Sequence, residues 1–402
     1  MAEIKNFTRI KNESEKNKNG FKSDYKYKLF QHKLAGFYRI GLVFIALIAV
    51  FLIIRYQYGR HVYTGYDVIS SVDRSTISEA VDIRLQDGIL TYSKDGAHCT
   101  DQKGNILWNE TYEIQDILIA TNKDVIAIAG YNARDIYISN TEKILGTVNT
   151  EMPIKEIAVS AQGTVTAVLS DTNVTWINTY SATGKKLYYS STTMGNSGYP
   201  GAIALSPNGE LLVVAYVYVD AGAVKTNIAF YNFGAVGDNK QDQIVGVYTQ
   251  TDQIVPDVRF LDDETVATIG DSQLRIYKGR QTPMETSVHM LNDQKIQSVF
   301  SGAGYLGLVF YSDDINYKYR IDIYGTSEKV GSYYFDLEYT DILFEKGDFL
   351  IYNDSECMIT TYAGTEKFKG VFEQSVNIMV PTNGAYRYLL VNDETINLIQ
   401  FK

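Results

Sequence analysis

A short strand-like pattern recurs eight times in this 402-residue chain, and the recurrence limits the fold more than any other feature. Most copies read as an acidic or polar residue, a branched apolar residue, any residue and an apolar residue. The copies begin at Asp82, Asp116, Glu156, Ala202, Asp257, Gln297, Asp341 and Asn377. Copies that are 34 to 55 residues apart, alternate with period two and have no amphipathic helix between them are typical of four-stranded propeller blades.

Further strands follow most copies of this pattern. A strongly apolar second strand is seen at 209–217, a third with a bulky residue near its end at 227–232, and a fourth after a polar turn at 184–190. Such a module cannot bury both of its faces alone, whereas radial stacking buries them and leaves only short edges. We therefore expect an all-β fold, an eight-bladed β-propeller over residues 81–402. Seven blades remain the alternative if Asp82–Gln86 is only a lead-in.

The eighth unit reaches Lys402 after only three strands. Its missing outer strand can be supplied by the spacer at 59–80, for instance by Val62–Ser70. Such pairing would join the two ends of the ring, because a strand from before the first blade would complete the last one.

Residues 40–54, IGLVFIALIAVFLII, are uncharged and almost wholly apolar. At about 1.5 Å per residue they span roughly 22 Å, less than the ~30 Å hydrocarbon core of a bilayer. Flanking aromatic and arginine side chains extend the span to the interfaces. The predicted anchor residues are Phe37, Tyr38, Arg39, Ile40, Ile54, Arg55, Tyr56 and Tyr58. We expect a single transmembrane signal anchor at 36–58, since a cleaved signal peptide has a shorter basic region and a small-residue cleavage site.

Charge is distributed unevenly along the chain. Residues 1–39 hold ten Lys and Arg against four acids, whereas the remainder holds 27 basic and 43 acidic residues. The basic tail at 1–35 predicts a cytoplasmic N-terminus that contacts anionic lipid, and an extracellular propeller tethered to the cell membrane by a single pass. An acidic body of this kind repels nucleic acid, so we exclude a nucleic-acid partner.

Two motifs resemble those of known propeller groups. Residues 101–108, DQKGNILW, resemble the turn and strand of quinoprotein-like repeats, and residues 204–209, ALSPNG, resemble the Ser-Pro-Asp-Gly turn of bacterial WD40-like propellers. Over 37–402 the order of anchor, spacer and propeller resembles an uncharacterised family of membrane-anchored β-propeller proteins from Gram-positive, clostridial-type bacteria. This resemblance implies a fold and a cellular location, and no activity.

The sequence carries no catalytic motif. Its four His residues are scattered, it lacks His-x-x-x-His and Cys-x-x-Cys spacings, and it has neither a nucleophile elbow nor a P-loop. Trp108 and Trp176 lie inside predicted strands, which disfavours a quinone platform. The acidic pairs at 262–264, 313–314 and 393–394 are typical of hairpin turns. We predict no catalytic residue, no metal site, no cofactor and no disulfide framework.

The fourth unit departs most from the repeat, and function in repeat proteins is often placed in such departures. Insertions at Val219–Lys225 and Gly234–Gln243 are expected to lengthen its loops. The candidate partner-binding residues in them are Asp220, Lys225, Asp238, Asn239 and Lys240. The mouth of the central channel is the other place where a partner is expected.

Two functional hypotheses follow from these patterns. The preferred one is a non-enzymatic binding or scaffolding propeller outside the cell that holds a protein or cell-wall ligand, with a variant in which it senses the ligand and signals inward. The alternative is a glycan-active hydrolase or lyase that uses acidic residues in the channel. Two carboxylates about 5–9 Å apart in one pocket would favour the enzyme.

Overall fold

The computed structural model describes residues 38, 41–51, 61–74, 79–171, 173–195, 197–251, 253–291 and 294–402. The chain divides into two compact units, Met1–Val62 and Tyr63–Lys402. In the first unit, residues 41–51 are helical and residues 42–51 are exposed. None of the helices in the described ranges combines the length and the apolar character needed to cross a membrane. Tyr38 is 71% exposed, and the other predicted anchor residues lie outside the described residues.

The second unit consists of eight four-stranded antiparallel sheets. The first strand in the chain is β1 (Tyr66–Asp73). Blades 1 to 4 comprise β2 (Val81–Arg84), β3 (Gly88–Ser93), β4 (Gly96–Asp101), β5 (Ile106–Thr111); β6 (Ile117–Asn122), β7 (Val125–Gly130), β8 (Asp135–Asn140), β9 (Ile144–Asn149); β10 (Ile154–Val159), β11 (Val165–Ser170), β12 (Thr175–Tyr180), β13 (Lys186–Thr192); and β14 (Tyr199–Leu205), β15 (Leu211–Asp220), β16 (Ala223–Asn232), β17 (Ile244–Thr251).

The remaining blades follow in the same way, each with its strands in chain order. Blades 5 to 8 comprise β18 (Asp257–Phe260), β19 (Thr265–Ile269), β20 (Gln273–Lys278), β21 (Met284–Met290); β22 (Ile296–Gly302), β23 (Tyr305–Tyr311), β24 (Tyr319–Tyr324), β25 (Lys329–Phe335); β26 (Asp341–Phe344), β27 (Asp348–Tyr352), β28 (Glu356–Thr361), β29 (Glu366–Val371); and β30 (Ile378–Pro381), β31 (Arg387–Val391), β32 (Thr395–Phe401), with β1 as the fourth strand of blade 8. Two short 3-10 helices, Gly237–Asn239 and Gln241–Gln243, lie between β16 and β17.

The eight sheets confirm the eight-bladed propeller. All eight copies of the recurring pattern fall on the first strand of a blade. First strands of neighbouring blades contact one another, as β6 does with β10, β10 with β14, β14 with β18, β22 with β26 and β2 with β30. The segment near Asp82 is therefore a full blade strand, and the seven-bladed alternative is wrong.

Trp108 and Trp176 lie in β5 and β12, and Cys99 and Cys357 are buried free thiols.

The second strands hold the buried core of each blade. Every residue of β7 and β19 is buried, because these strands have another strand on each side and a packed blade on each face. Strands covered on both faces read as continuous apolar runs rather than alternating ones. This explains why the sequence of the second strands is the most apolar in each unit.

The ring closes through β1, which pairs antiparallel with β32 from Tyr66 opposite Phe401 to Asp73 opposite Thr395. The strand begins four residues later than the Val62–Ser70 segment suggested by the sequence. Thr64 N donates to Lys402 O at 2.8 Å, and Lys402 N donates to Gly65 O at 2.9 Å. The two ends of the unit are thus hydrogen bonded to each other.

A buried ion pair joins the end of β1 to blade 1. Arg74 donates to both carboxylate oxygens of Asp82, at 2.8 and 3.0 Å, and the two side chains are only 9% and 3% exposed. Arg74 also donates to Asn392 O at 3.2 Å, while Thr91 donates to Asp82 at 2.7 Å. Bidentate geometry with further partners on both groups offsets the cost of removing the two charges from water.

The motif at 101–108 that resembles quinoprotein-like repeats forms a structural turn and the strand after it. Asp101 Oδ1 accepts hydrogen bonds from Lys103 N at 2.8 Å and Asn105 N at 2.9 Å, and Gly104 between them has φ +81°. A residue with a side chain is disfavoured in that conformation. Trp108 Nε1 then donates to Asn140 O at 2.7 Å, which links blade 1 to blade 2. The resemblance to quinoprotein-like repeats therefore reflects turn and blade packing.

Replacement of Arg74 by Met tests the closure. We expect a loss of about 3–5 kcal/mol in the free energy of unfolding, because Asp82 would stay buried without its counter-ion. The matched control is Lys402→Met at the other end of β1, where the Lys402–Asp67 pair is 59% and 63% exposed and its loss should cost less than about 1 kcal/mol. Chemical denaturation followed by the fluorescence of Trp108 and Trp176 measures both. Equal losses in the two variants would contradict a special role for the buried pair.

Candidate functional site

The two ends of the propeller differ in the connections that they carry. One end, here named the interblade face, holds the loops between second and third strands and the connections between blades. The other end, here named the entry face, holds the remaining turns and residues 63–65, where the chain joins the unit. Loops on such faces carry function because the packed strands beneath them hold their ends in place.

Asp220 and Lys225 lie at the interblade face on the β15–β16 hairpin. The prediction of a long loop at Val219–Lys225 is wrong, because β15 and β16 stay paired up to a two-residue turn at Ala221 and Gly222. These two residues have φ 50° and 83°, values typical of a tight type I′ hairpin. Lys225 Nζ lies 2.7 Å from Asp220 Oδ2, so the two candidate residues pair with each other across the hairpin.

Asp238, Asn239 and Lys240 lie at the entry face, in and just after the first 3-10 helix. Asn239 Nδ2 donates to Ala235 O at 2.8 Å and stabilises this turn. The ten residues of β16 separate the turn from the hairpin tip by roughly 30 Å at about 3.3 Å per residue. The five candidate partner-binding residues are therefore split between opposite faces and do not form one site.

Large apolar side chains are exposed along the interblade face. They come from several blades and lie in loops or at strand ends: Tyr131, Met194, Tyr199, Val219, Ile254, Met290, Tyr311, Ile315, Tyr317 and Val371. Exposed apolar groups of this kind concentrate at surfaces that bind partners, where aromatic residues and Met are enriched.

The loop of blade 6 between Tyr311 and Tyr319 presents the most exposed of these residues, Ile315, at 99%. The loop is closed by a hydrogen bond from Ser312 N to Lys318 O at 2.9 Å, and Lys318 N donates to Asp336 at 2.8 Å. The sequence patterns did not single out this loop, although residues 312–318 form the longest connection between second and third strands in the described part of the chain. A single large aliphatic residue inside the polar run SDDINYK is the signal that could have found it.

The same face is acidic. Its described loops contain the acidic residues Glu79, Asp95, Glu113, Asp116, Glu151, Asp171, Asp271, Asp313, Asp314, Asp336, Glu338, Asp354, Glu373, Asp393 and Glu394. The basic residues of these described loops are fewer: Arg74, Lys94, Arg134, Lys295 and Lys318. Arg74 is already neutralised by Asp82 and Lys318 pairs with Glu338. A surface of this charge attracts basic groups.

A cavity of about 790 Å³ lies at the mouth of the central channel on the entry face. It is lined mainly by turns between first and second strands, and Arg84 beside it pairs with Asp341 at 3.1 Å. The carboxylates that line this cavity are Asp87, Asp262, Asp263 and Glu345. In the described part of the chain, no group of three or more His, Cys, Asp and Glu is arranged to hold a metal ion.

The acidic pairs noted in the sequence serve as turn residues in three different blades. Asp262 accepts a hydrogen bond from Glu264 N at 2.8 Å, and Asp314 accepts one from Asn316 N at 2.9 Å. Asn392 holds the third turn by accepting from Glu394 N at 2.9 Å. These contacts fix backbone geometry, as short polar side chains do in turns.

Two carboxyl groups at the inner strands have raised pKa values. Burial raises the pKa of Glu156 to about 7, against the hydrogen bond that it accepts from Ile203 N at 3.1 Å and with a smaller contribution from Asp257. Burial also raises the pKa of Glu345 in the mouth cavity, where Arg84 opposes the shift. Raised carboxyl pKa values are expected wherever burial disfavours the ionised form.

The chain matches one protein family and is similar in fold to several solved structures. A model described as a family of unknown function (DUF5711) matches residues 59–401. No curated protein matches the chain significantly. Sqt1 from Chaetomium thermophilum has a similar structure, with a TM-score of 0.52 and 14% identity over 84% of this chain and 100% of that one. At this identity the likeness concerns the fold alone.

Two other solved structures are similar at lower scores. BamB from Moraxella catarrhalis has a TM-score of 0.46 and 14% identity over 84% of this chain and 100% of its own. Hsv2 from Kluyveromyces lactis has a TM-score of 0.47 and 11% identity over 74% of this chain and 99% of its own.

Replacement of Glu156 by Gln tests the raised pKa. The ionised carboxylate of Glu156 is more stable in the unfolded chain than in the fold. The contribution of the neutral carboxyl group to the free energy of unfolding is therefore complete below about pH 4.5 and is lost as the pH rises through about 7. We expect Glu156→Gln to equal the native chain near pH 4 and to exceed its free energy of unfolding by about 2 kcal/mol at pH 8. Exposed Glu142→Gln is the control and should show no such change. Denaturation curves at both pH values that move in parallel for all three proteins would contradict the assignment.

Proposed function

The chain belongs to DUF5711, a family of unknown function, and we propose that it is a membrane-anchored, extracytoplasmic β-propeller whose interblade face binds a protein partner without catalysing a reaction. The observation that carries the proposal is the presentation of Ile315, 99% exposed, on a hydrogen-bonded loop of that face. A large aliphatic side chain in water at the tip of an ordered loop is stabilised when a partner covers it.

The loop is arranged as an anchor for binding. Tyr317 packs against Tyr334 with ring centroids 5.7 Å apart, and Tyr311 stacks on Tyr319 at 5.9 Å, so the aromatic groups around Ile315 are held in place before any partner arrives. A preformed anchor lowers the conformational entropy lost on association. Partly exposed tyrosines with a central apolar residue resemble the residue types that dominate binding energies at protein interfaces.

The acidic loops around this anchor define the partner. We expect a cell-envelope protein that offers an apolar pocket surrounded by Lys and Arg side chains. Complementary charge accelerates association and fixes orientation, and its effect falls as the salt concentration rises. A basic protein surface is therefore preferred over a neutral cell-wall polymer as the ligand of this face.

The tether is supported by the sequence. Residues 40–54 are apolar and residues 1–35 are basic, which favours an N-terminus in the cytoplasm near anionic lipid and a propeller outside the cell. Residues 63–65 lie at the entry face of the propeller. A sensor that reports inward through the basic tail is a variant of the same proposal.

A second candidate is a glycan-active hydrolase or lyase with its site in the mouth cavity. The observation that favours it is the raised pKa of Glu345 in a cavity also lined by Asp87, Asp262 and Asp263. A protonated carboxyl beside an ionised one is the arrangement that glycoside hydrolysis uses. Release of sugar fragments from cell-wall glycan by the purified chain would favour this candidate over binding.

Photo-crosslinking identifies the partner of the interblade face. A photoreactive amino acid replaces Ile315 in the full chain expressed in the cells that encode it, and the control carries it at Ile106, a 65% exposed residue of outer strand β5. We expect a discrete protein adduct from position 315 alone. The same adducts from both positions would contradict the proposal.

Affinity for the captured protein is then measured with purified components. Ile315→Glu should weaken binding about tenfold or more, because it removes buried apolar area worth roughly 1.5–3 kcal/mol and adds a charge to an acidic face. Ile106→Glu is the matched control and should bind as the native chain does. Equal affinities of all three proteins would place the captured protein elsewhere on the propeller.

A further inference from the structure

A polar cavity of about 450 Å³ lies between blades 5 and 6. His289 from β21 lines one side, and Arg320, Asp322 and Lys329 from blade 6 line the other. Two cations thus share a cavity with a carboxylate whose side chain is only 6% exposed. Of the described residues that line this cavity, only Asp313 at the rim belongs to the loop proposed above as the partner anchor.

The carboxylates of this cavity already have their donors. Asp322 accepts from Ser332 at 2.7 Å and lies 2.9 Å from Lys329 Nζ, and Asp313 at the rim lies 3.3 Å from Arg320. Tyr334 donates to the second oxygen of Asp313 at 3.3 Å. Little acceptor capacity of the protein therefore remains to be filled by a ligand.

Two side-chain nitrogens, in contrast, have no partner, and Nε2 of an uncharged His289 donates in its Nε2–H tautomer. Nε2 of His289 and Nε of Arg320 are buried, and neither makes a hydrogen bond within the described structure. Arg320 Nε lies 3.2 Å from Asp322 Oδ1, but its N–H does not point at that oxygen. They are the only nitrogens among the buried side-chain polar atoms without a partner in the described residues, and both line this cavity.

Unfilled donors beside two cations require a ligand that accepts hydrogen bonds. A buried nitrogen without a partner costs about 1–3 kcal/mol, which an oxyanion in the cavity would recover. Burial and the nearby Lys329 ammonium lower the pKa of His289, so its imidazole is uncharged at neutral pH and contributes a hydrogen bond rather than a charge. Lys329 and Arg320 supply the positive charge, which the ligand would share with their present partners Asp322 and Asp313.

The rim of the cavity suits an organic group. Val288 and Met290 are 42% and 61% exposed, and Tyr334 is 38% exposed. These side chains can cover the carbon skeleton of a small molecule whose charged end lies deeper, as in most ligand pockets. We propose that the cavity between blades 5 and 6 binds a small organic oxyanion, a carboxylate or a phosphate ester, with His289, Arg320 and Lys329 as its hydrogen-bond donors.

The full chain in detergent is titrated with three probes, sodium glucuronate, glycerol phosphate and uncharged glucose, and binding is measured by calorimetry. We expect saturable binding of at least one oxyanion and none of glucose. Glucuronate alone would identify a carboxylate site, and glycerol phosphate alone would identify a phosphate site. Failure of both oxyanions to bind, or binding of glucose with equal affinity, would overturn the proposal.

Two variants locate the binding. His289→Phe keeps a ring against Tyr324, 4.9 Å from the imidazole, but removes the nitrogen, and Lys329→Gln removes the charge. Each substitution should lower the affinity for the oxyanion at least tenfold. The matched control is Lys186→Gln, since Lys186 lies 5.9 Å from the Tyr180 ring just as Lys329 lies 5.9 Å from the Tyr324 ring.

Folding of each variant is checked by its unfolding midpoint without ligand, and the stabilisation of the native chain by ligand supplies a second measure of affinity. Unchanged binding in both variants, or equal loss in the Lys186 control, would overturn the proposal. These results are independent of the partner at Ile315, because none of the three substitutions changes the loop of blade 6.

Discussion

The pairing of β1 with β32 is the constraint on which the rest of the structure depends. Seven blades are continuous in the chain, and only blade 8 combines strands from both ends of the unit. Without β1 the outer edge of β32 would be unpaired, and the contact between blades 8 and 1 would lose the buried Arg74–Asp82 ion pair. An open ring of this kind exposes a strand edge that can pair with other chains.

Closure of the ring explains why apolar residues fill the strands and charged residues lie in the connections. The second strands β7 and β19 are buried on both faces, so they hold apolar residues and small side chains such as Thr265 and Thr268, and the inner strands must pack around the channel. Charged and exposed apolar groups are instead placed in the connections. The interblade face gains an acidic surface with Ile315 at its most exposed point, while the entry face receives the chain and surrounds the channel mouth.

The fold could be predicted from the sequence because its signals are local. The recurring pattern in segments such as Asp341–Phe344 marks the inner strands, and Gly104 and Gly209 occupy turns with positive φ. The start of β1 was less certain, because seven of its eight residues are exposed and leave no buried pattern to read. The sites were not predictable for a different reason. His289 and Lys329 come from different blades and meet only through packing, and the exposure of Ile315 depends on the closed conformation of its loop.

Hydrogen exchange of the full chain, resolved by mass spectrometry of peptides, tests the closed ring most directly. If β1 is an integral strand of blade 8, the amides of residues 66–73 that pair with β32 should exchange as slowly as those of the outer strands of other blades, and they should become exposed only with cooperative unfolding. Fast exchange of 66–73 while β32 and β31 stay protected would show that the ring is closed without β1, and would contradict the account.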